Sequence, residues 1–157
     1  MLKGATAPFG RMSVELPVAP VDDVIRGNAD GLRVSAEAAE ELAHRIQAEG
    51  ANRAQRAAER ADSRGRKTLM VDDFGSGSVP DKDELDLPIA PVDRVARLDI
   101  DDRYRVSMDA RIVLTAQLEA YAENISAAAA YLARHAGRRT IKAEDIEAYF
   151  ELRQYFE

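Results

Sequence analysis

Apolar residues recur at alternating spacings of four and three along the second half of the chain. The positions are Leu114, Leu118, Tyr121, Ile125, Ala128 and Leu132. This spacing places them on one face of an α-helix. No proline or glycine interrupts the stretch from Ser107 to Ala136, so the pattern predicts a single helix about 40 Å long.

Each half of the chain encodes a short helix, a loop, a long helix, a second loop and a third, short helix. Pro17 and Pro20 indicate the start of the first helix, because proline is tolerated in a first helical turn. Ser35 and Ser107 are the predicted N-caps of the long helices, and each is followed two residues later by an acid that suits the helix dipole. We expect Gly50 to weaken the first long helix only slightly, since tertiary packing usually overrides one glycine. The pattern predicts an all-α protein.

The two halves are copies of one unit. Their blocks stay in register, with one residue inserted between the first block and the second, and chance does not maintain such a register. The matched blocks are LPVAPVD at 16–22 with LPIAPVD at 87–93, RVS at 33–35 with RVS at 105–107, and GRKTL at 65–69 with GRRTI at 137–141.

The duplication divides the chain into four segments. Residues 1–13 have neither periodicity nor a counterpart in the second copy, which predicts a disordered extension that a translation start at Met12 would largely remove. The two units cover residues 14–74 and 87–153. Between them, residues 75–86 combine glycine and serine with acids and predict a flexible linker, which also cuts the first unit's third helix short. A unit of about 60 residues buries too little surface to be stable alone, so we expect the two units to pair within one chain.

The composition excludes several kinds of site. There is no cysteine among the 157 residues, so disulfides and thiolate metal sites cannot form. The histidines, His44 and His135, are too few for a zinc site or a nucleophile–base pair. No apolar run is long enough to cross a bilayer, and no secretory signal is evident. We expect a cytoplasmic protein with no metal, cofactor, small-molecule substrate or enzymatic activity.

The charge of the whole chain argues against nucleic-acid binding. A net charge of −6 and an isoelectric point near 5.1 are the opposite of the basic charge that nucleic-acid-binding domains usually have. Of the 22 basic residues 18 are arginine, and the acids are spread along the chain. This composition is typical of a protein from a cytoplasm of very high salt, and a GC-rich genome is the other explanation for the arginines.

The basic residues nevertheless cluster in the second loop of each copy. A Gly-Arg-basic-Thr turn presents two cations, a hydroxyl and backbone N–H groups, all of which suit phosphate oxygens. Most basic loops are merely solvated, but recurrence at matched positions in both copies favours a function. These loop residues are Arg66, Lys67 and Thr68 in the first copy and Arg138, Arg139 and Thr140 in the second.

The second copy resembles the archaeal histone family. The resemblance rests on LPIAP at 87–91, RVS at 105–107 and ARHAGRRTIKAEDIE at 133–147. The first copy resembles the family more loosely, and the tandem arrangement with an acidic surface is similar to the doublet histones of haloarchaea. The resemblance implies two tandem histone folds that form an intramolecular handshake pseudodimer. It also implies a chromosomal protein that binds and bends or wraps double-stranded DNA with little sequence specificity, for chromatin organisation or global transcription modulation.

The resemblance implies three DNA-binding sites. In the family, the first loop of one fold lies beside the second loop of its partner, so Arg33 would join Arg138, Arg139 and Thr140. Arg105 would likewise join Arg66, Lys67 and Thr68. The arginine before Val-Ser is the family's minor-groove residue, a contact that favours narrow grooves.

The third site lies where the two first helices meet. Arg94 matches the family's DNA-contacting arginine on this helix, and Arg97 lies one turn further on. In the first copy Asp23 occupies the position of Arg94, and only Arg26 remains. The first copy therefore departs from the family pattern at its half of this central site.

Two further sets of residues have structural roles in the family. The pairs Arg66 with Asp73 and Arg138 with Asp145 would fix the second loop to the third helix. Leu132, His135 and Asp145 match the surface through which two dimers associate. The first copy has Arg60 and Ser63 at the positions of Leu132 and His135, so we expect self-association through the second histone fold alone.

The sequence also fits a second function. A histone-fold pair can serve as a protein-interaction module of a transcription-regulatory complex, with weak or no DNA binding. The acidic surface and the incomplete central site favour that alternative. The retention of both RVS blocks and both basic turns favours DNA.

Overall fold

The computed structural model describes residues 13–156, and the order of its elements repeats in the two halves. In this part of the chain the α-helices are α1 (Val18–Gly27), α2 (Ala36–Ser63), α3 (Ile89–Ala96), α4 (Met108–His135) and α5 (Ala143–Arg153). The two-residue strands are β1 (Arg33–Val34), β2 (Thr68–Leu69), β3 (Arg105–Val106) and β4 (Thr140–Ile141). Short 3-10 helices cover Val71–Phe74 and Lys82–Glu84. The predicted extension at residues 1–13 lies outside the described residues except for Ser13, and so does the predicted start at Met12.

Each long helix begins at the serine that the sequence predicts as its N-cap. The hydroxyl oxygen of Ser35 accepts a hydrogen bond from the N–H of Ala38 at 3.0 Å. The hydroxyl oxygen of Ser107 accepts one from the N–H of Ala110 at 3.1 Å. Both helices are 28 residues long, and in each of them the cap satisfies a first-turn donor that would otherwise be unpaired.

Gly50 does not interrupt α2, because it lies where three helices approach one another. A Cβ atom at Gly50 would stand 2.8 Å from Cγ1 of Val95 in α3 and 3.0 Å from Cδ1 of Leu118 in α4. The missing side chain lets the second copy's helices pack closely against the middle of α2. The intrinsic cost of a helical glycine is thus offset by tertiary packing.

The two copies are joined by parallel strand pairs that cross between them. β1 of the first copy pairs with β4 of the second, and β2 of the first pairs with β3 of the second. The N–H of Arg33 donates to the carbonyl of Arg139 at 2.9 Å, and the N–H of Arg105 donates to the carbonyl of Lys67 at 2.9 Å. Each copy therefore completes the backbone hydrogen bonding of the other.

The hydrophobic core is continuous across the two copies. From α4, Leu114, Leu118 and Ile125 of the predicted apolar face are fully buried, and from the strands so are Leu69 and Ile141. The facing half of α2 contributes small side chains, which let the long helices approach closely. The buried alanines there are Ala54, Ala57, Ala58 and Ala61.

The third helices differ between the copies. α5 is 11 residues long and packs on both α2 and α4. Its counterpart is the four-residue 3-10 helix Val71–Phe74, which ends at Gly75 in a left-handed conformation with φ of 77°. The amide nitrogen of the Gln117 side chain donates to the carbonyl of Phe74 at 2.9 Å, so α4 satisfies the end of this shortened element.

Candidate nucleic-acid interface

The crossed strand pairs bring the predicted DNA-binding loops together in two places. The β1–β4 end contains Arg33, Arg138, Arg139 and Thr140, and the β2–β3 end contains Arg105, Arg66, Lys67 and Thr68. The strand register sets Arg33 opposite Thr140 and Arg105 opposite Thr68. Each end therefore combines the first loop of one copy with the second loop of the other.

The second loop has the same backbone geometry in both copies. Gly65 and Gly137 follow the long helices with φ of 72° and 75°, a left-handed conformation that glycine adopts at little cost. The N–H of Arg66 then donates to the carbonyl of Ala61 at 2.8 Å, and the N–H of Arg138 donates to the equivalent carbonyl at 3.0 Å. The glycine thus turns the chain so that the basic residues leave the end of the helix on an exposed loop.

An ion pair holds each of these loops against the element that follows it. Nη1 of Arg66 lies 2.7 Å from Oδ2 of Asp73, and Nη2 of Arg138 lies 2.6 Å from Oδ1 of Asp145. The same guanidinium groups donate to the carbonyls of Thr68 and Thr140. Each arginine therefore spans the loop and orders the threonine that faces the other copy.

Asp73 accepts hydrogen bonds from more groups than Asp145 does. It is completely buried, and it accepts hydrogen bonds from Arg66, from Arg64 and from the N–H of Met70. Burial alone would raise the pKa of Asp73, but these hydrogen bonds outweigh it and hold the pKa below its usual value. The carboxylate in turn raises the pKa of Arg66 through their hydrogen bond.

The remaining loop cations differ in their partners. Nζ of Lys67 lies 2.6 Å from Oδ1 of Asp62 and 5.2 Å from the ring centroid of Tyr104. Hydrogen bonding to Lys67 lowers the pKa of the Asp62 carboxyl. Arg33 and Arg139 are exposed and make no ion pair with any residue between 13 and 156. Sequence analysis did not identify Asp62 or Tyr104. The only signal for them is in the alignment of the two copies, where the equivalent position of the other copy holds a different residue.

The arginines of the predicted central site each contact a carboxylate. The pairs are Arg26 Nε with Asp22 Oδ2 at 2.6 Å, Arg97 Nε with Asp93 Oδ2 at 3.2 Å, and Arg94 Nε with Glu15 Oε1 at 3.2 Å. The three arginine side chains remain between 39% and 56% exposed, and exposed pairs of this kind contribute about 0–1 kcal/mol to stability. Asp23, which stands at the position of Arg94 in the first copy, is exposed.

The predicted association surface of the second copy contains an apolar groove of about 430 Å³. Leu132 lies in the groove, and the exposed Tyr131 ring stacks on His135 with 6.2 Å between the ring centroids. Both oxygens of Asp145 are occupied by Arg138, and the N–H of Lys142 donates to one of them. The groove is lined by Ala128, Tyr131, Leu132, Tyr149, Leu152, Arg153 and Phe156.

The corresponding surface of the first copy is polar. Nη1 of Arg60 donates to the carbonyl of Asp73 at 2.7 Å, at the position where the second copy has Leu132. The neighbouring cavity, of about 190 Å³, is lined by Arg53, Arg56, Arg60, Phe74, Gly75 and Gln117. The two copies therefore present different chemistry at equivalent positions.

Neither a metal site nor a membrane span is found between residues 13 and 156. No group of three or more histidine or acidic side chains in this part of the chain could hold a metal ion. No helix within it is long and apolar enough to cross a membrane.

Two helix–loop–long helix–loop units that cross and pair through their loops define a protein made of tandem histone folds. The chain belongs to the family described as histone-like transcription factor (CBF/NF-Y) and archaeal histone, whose model matches residues 14–76 and again residues 85–148. The prediction of an all-α protein with two tandem histone folds is confirmed. Family membership also supports an archaeal histone-like role in DNA binding and confirms that the protein is not an enzyme.

The proteins similar to this chain include two histones. One component of the archaeal histone HAN1, from Thermococcus zilligii, is 49% identical over 61 residues, which are 39% of this chain and 88% of that protein. The crystal structure of the histone from Methanopyrus kandleri superposes with a TM-score of 0.64 at 23% identity. That match covers 84% of this chain and 91% of the other. The second likeness establishes the fold.

Proposed function

We propose that this protein is an archaeal-type histone that binds double-stranded DNA with little sequence preference and bends or wraps it. The observation that carries the proposal is the pairing of loops within one chain. At both ends of the molecule, an arginine of a first loop lies opposite the threonine of a basic second loop. Such a cluster offers phosphate oxygens two or three cations, a hydroxyl and backbone donors.

Contacts of this kind explain the expected lack of sequence preference. Phosphate contacts position a duplex but carry no base information. Arginines such as Arg33 and Arg105 respond to the width and potential of the minor groove rather than to a base code. The protein would therefore act throughout the chromosome, in the cytoplasm, as a packaging or transcription-modulating protein of the haloarchaeal doublet type.

The central site would support bending between the two ends. Arg26, Arg94 and Arg97 are paired with carboxylates through contacts of little stabilising value, so a phosphate can replace a carboxylate as their partner. Asp23 would repel the same backbone. We therefore assign the central site a smaller share of the affinity than the two loop ends.

Self-association would occur through the second copy. The apolar groove around Leu132 and Leu152 suits the same face of a second chain, because a two-fold axis brings identical patches together. Arg60 would meet its own symmetry mate on the first copy's surface, and like charges at an interface cost several kcal/mol. Assembly on DNA would therefore stop at two chains, or four histone folds.

One observation favours a different function, that of a protein-interaction module in a regulatory complex. Several predicted DNA-binding cations, among them Lys67, Arg94 and Arg97, already contact carboxylates. A surface of paired charges binds a polyanion less strongly than an uncompensated one. This alternative predicts weak DNA binding that loop mutations do not alter.

The deciding experiment measures affinity for duplex DNA from low to molar salt, followed by nuclease footprinting. The Arg33→Ala, Arg105→Ala double variant should weaken binding to all duplexes, and most where the minor groove is narrow. The Lys67→Ala, Arg139→Ala variant should lower affinity uniformly and reduce the salt slope by roughly one per lost phosphate contact. A control variant, Arg56→Ala with Lys82→Ala, removes the same charge from residues outside the loops. Equal effects of all three variants at moderate salt would favour the interaction module.

A further inference from the structure

The two loop ends share a backbone conformation but carry opposite charges at one pair of equivalent positions. Asp62 lies near the end of α2 and Arg134 near the end of α4, at equivalent places in the repeat. Since the helix ends, the glycine turns and the loop hydrogen bonds match, Arg134 precedes Arg139 as Asp62 precedes Lys67. The carboxylate that contacts Lys67 is thus replaced by a cation beside Arg139.

Carboxylates surround the cations of the β2–β3 end. Besides Lys67 with Asp62, three arginines there lie within ion-pair distance of an acid, and Arg105 alone among the loop cations of this end, within the described residues, makes no such pair. The arginine pairs are Arg64 Nη1 with Asp72 Oδ2 at 3.0 Å, Arg66 Nη2 with Asp72 Oδ1 at 3.4 Å, and Arg103 Nε with Asp101 Oδ1 at 3.5 Å.

At the β1–β4 end, most of the arginines have no carboxylate partner within the described residues. Arg33, Arg134 and Arg139 all reach solvent, and none forms an ion pair with any residue from 13 to 156. Arg138 forms an ion pair with Asp145, and Glu144 also interacts electrostatically with it. Tyr104, whose ring lies under Lys67 at the other end, is replaced here by Leu32, which offers no hydroxyl to a neighbouring charge. Three uncompensated guanidinium groups thus face solvent at this end.

We propose that the β1–β4 end is the stronger phosphate-binding end of the molecule, with Arg134 as a further phosphate contact, and that Asp62 weakens the β2–β3 end by occupying Lys67. This inference rests on the proposed DNA binding and assigns the two ends unequal shares of it. A phosphate at the β2–β3 end must displace Asp62 from Lys67 and approach Asp72 and Asp101 as well. At the β1–β4 end Arg33, Arg134 and Arg139 have no carboxylate partner to be displaced, and each phosphate neutralised there releases a counterion.

Reciprocal exchange of the two residues tests the inference. Arg134→Asp should lower affinity for a short duplex roughly tenfold and the salt slope by about one, because a charged hydrogen bond to phosphate is lost. Asp62→Arg should raise the affinity and the salt slope by a similar amount. The matched control is Glu147→Arg, which makes the same charge change as Asp62→Arg on an exposed face of α5. Circular dichroism of each variant verifies that the helices are retained.

A second measurement locates the stronger end directly. The chain has no cysteine, so Ala36→Cys and Met108→Cys can each carry a single DNA-cleaving reagent. Both residues are exposed first residues of a long helix, one beside each loop end. As salt is raised, cleavage from position 36 should persist after cleavage from position 108 is lost. The Asp62→Arg, Arg134→Asp exchange should reverse that order.

The outcomes separate this inference from the proposed function. Loss of cleavage from both positions at the same salt, with Asp62→Arg no stronger than Glu147→Arg, would overturn the inequality of the ends while DNA binding itself stands. A wild-type protein that binds no duplex even at low salt would overturn the proposed function and this inference together. The inference would be supported if cleavage from position 36 persists to higher salt than cleavage from position 108, and if the exchange variant reverses that order.

Discussion

The two copies differ on the surfaces that face away from each other. In α4, Tyr131 and Leu132 border an apolar groove, whereas the equivalent positions in α2 are Glu59 and Arg60. Where the copies contact each other, by contrast, the paired strands and their hydrogen bonds are nearly identical. The paired strands tolerate little change because each strand completes the backbone hydrogen bonding of the other copy, and the outer surfaces are under no such constraint.

The third helix shows the same contrast. Phe150 of α5 contacts α2, where the guanidinium of Arg45 stands 4.2 Å from its ring centroid. Gln117 occupies the position of Arg45 in α4 and instead donates to the carbonyl of Phe74, the last residue of the first copy's short 3-10 helix. The first copy has no long third helix. In the second copy, that helix supplies several residues of the groove.

The largest expected effect follows from dividing the chain between the copies. Fragments 1–78 and 79–157 should each lose cooperative folding, because each removes one partner from both strand pairs and opens the shared core. The second fragment should retain more helix, since it keeps α5. Circular dichroism and thermal unfolding of the separate and mixed fragments measure this, and mixing should restore the intact chain's transition. A stably folded, monomeric second fragment would contradict the mutual dependence of the copies.

The next effect concerns the outer surfaces. Leu132→Glu should abolish self-association on DNA and reduce the nuclease-protected length to that of one chain, because it places like charges across the two-fold axis. Arg60→Leu is the matched change in the first copy, and it should instead permit longer assemblies. Wild-type protein should give a protected length that reaches a plateau. A ladder of increasing lengths with wild-type protein at saturation would show that the first copy's surface also associates.

The sequence predicted the parts of the molecule that follow from periodicity and from the repeat. The caps at Ser35 and Ser107 and the pairing of first loops with second loops needed only local pattern and the register of the two copies. The partners of Lys67 and Arg94 were not predictable in the same way. Asp62 has no repeated counterpart, and Glu15 contacts Arg94 across 79 positions of sequence. Such contacts depend on how the copies cross, which no local pattern encodes.

The remaining prediction compares the two buried carboxylates that hold the basic loops. Asp73 has a lowered pKa, so its charge stabilises the folded state at pH values above the ordinary carboxyl range. That stabilisation is lost as the pH falls through the lowered pKa, because between the ordinary and the lowered pKa the unfolded state binds more protons than the folded state.

Asp73→Asn should therefore destabilise the protein by about 2 kcal/mol near neutral pH, since hydrogen bonds to charged groups are lost. The difference from wild type should shrink below about pH 4, the ordinary range of this carboxyl. Asp145→Asn is the matched change at the β1–β4 end, where Arg138 pairs with the carboxylate. Because Asp73 has an additional contact with Arg64, its replacement should cost more than that of Asp145. Urea unfolding at several pH values measures both differences, and equal losses that persist at acid pH would show that packing, rather than charge, holds these loops.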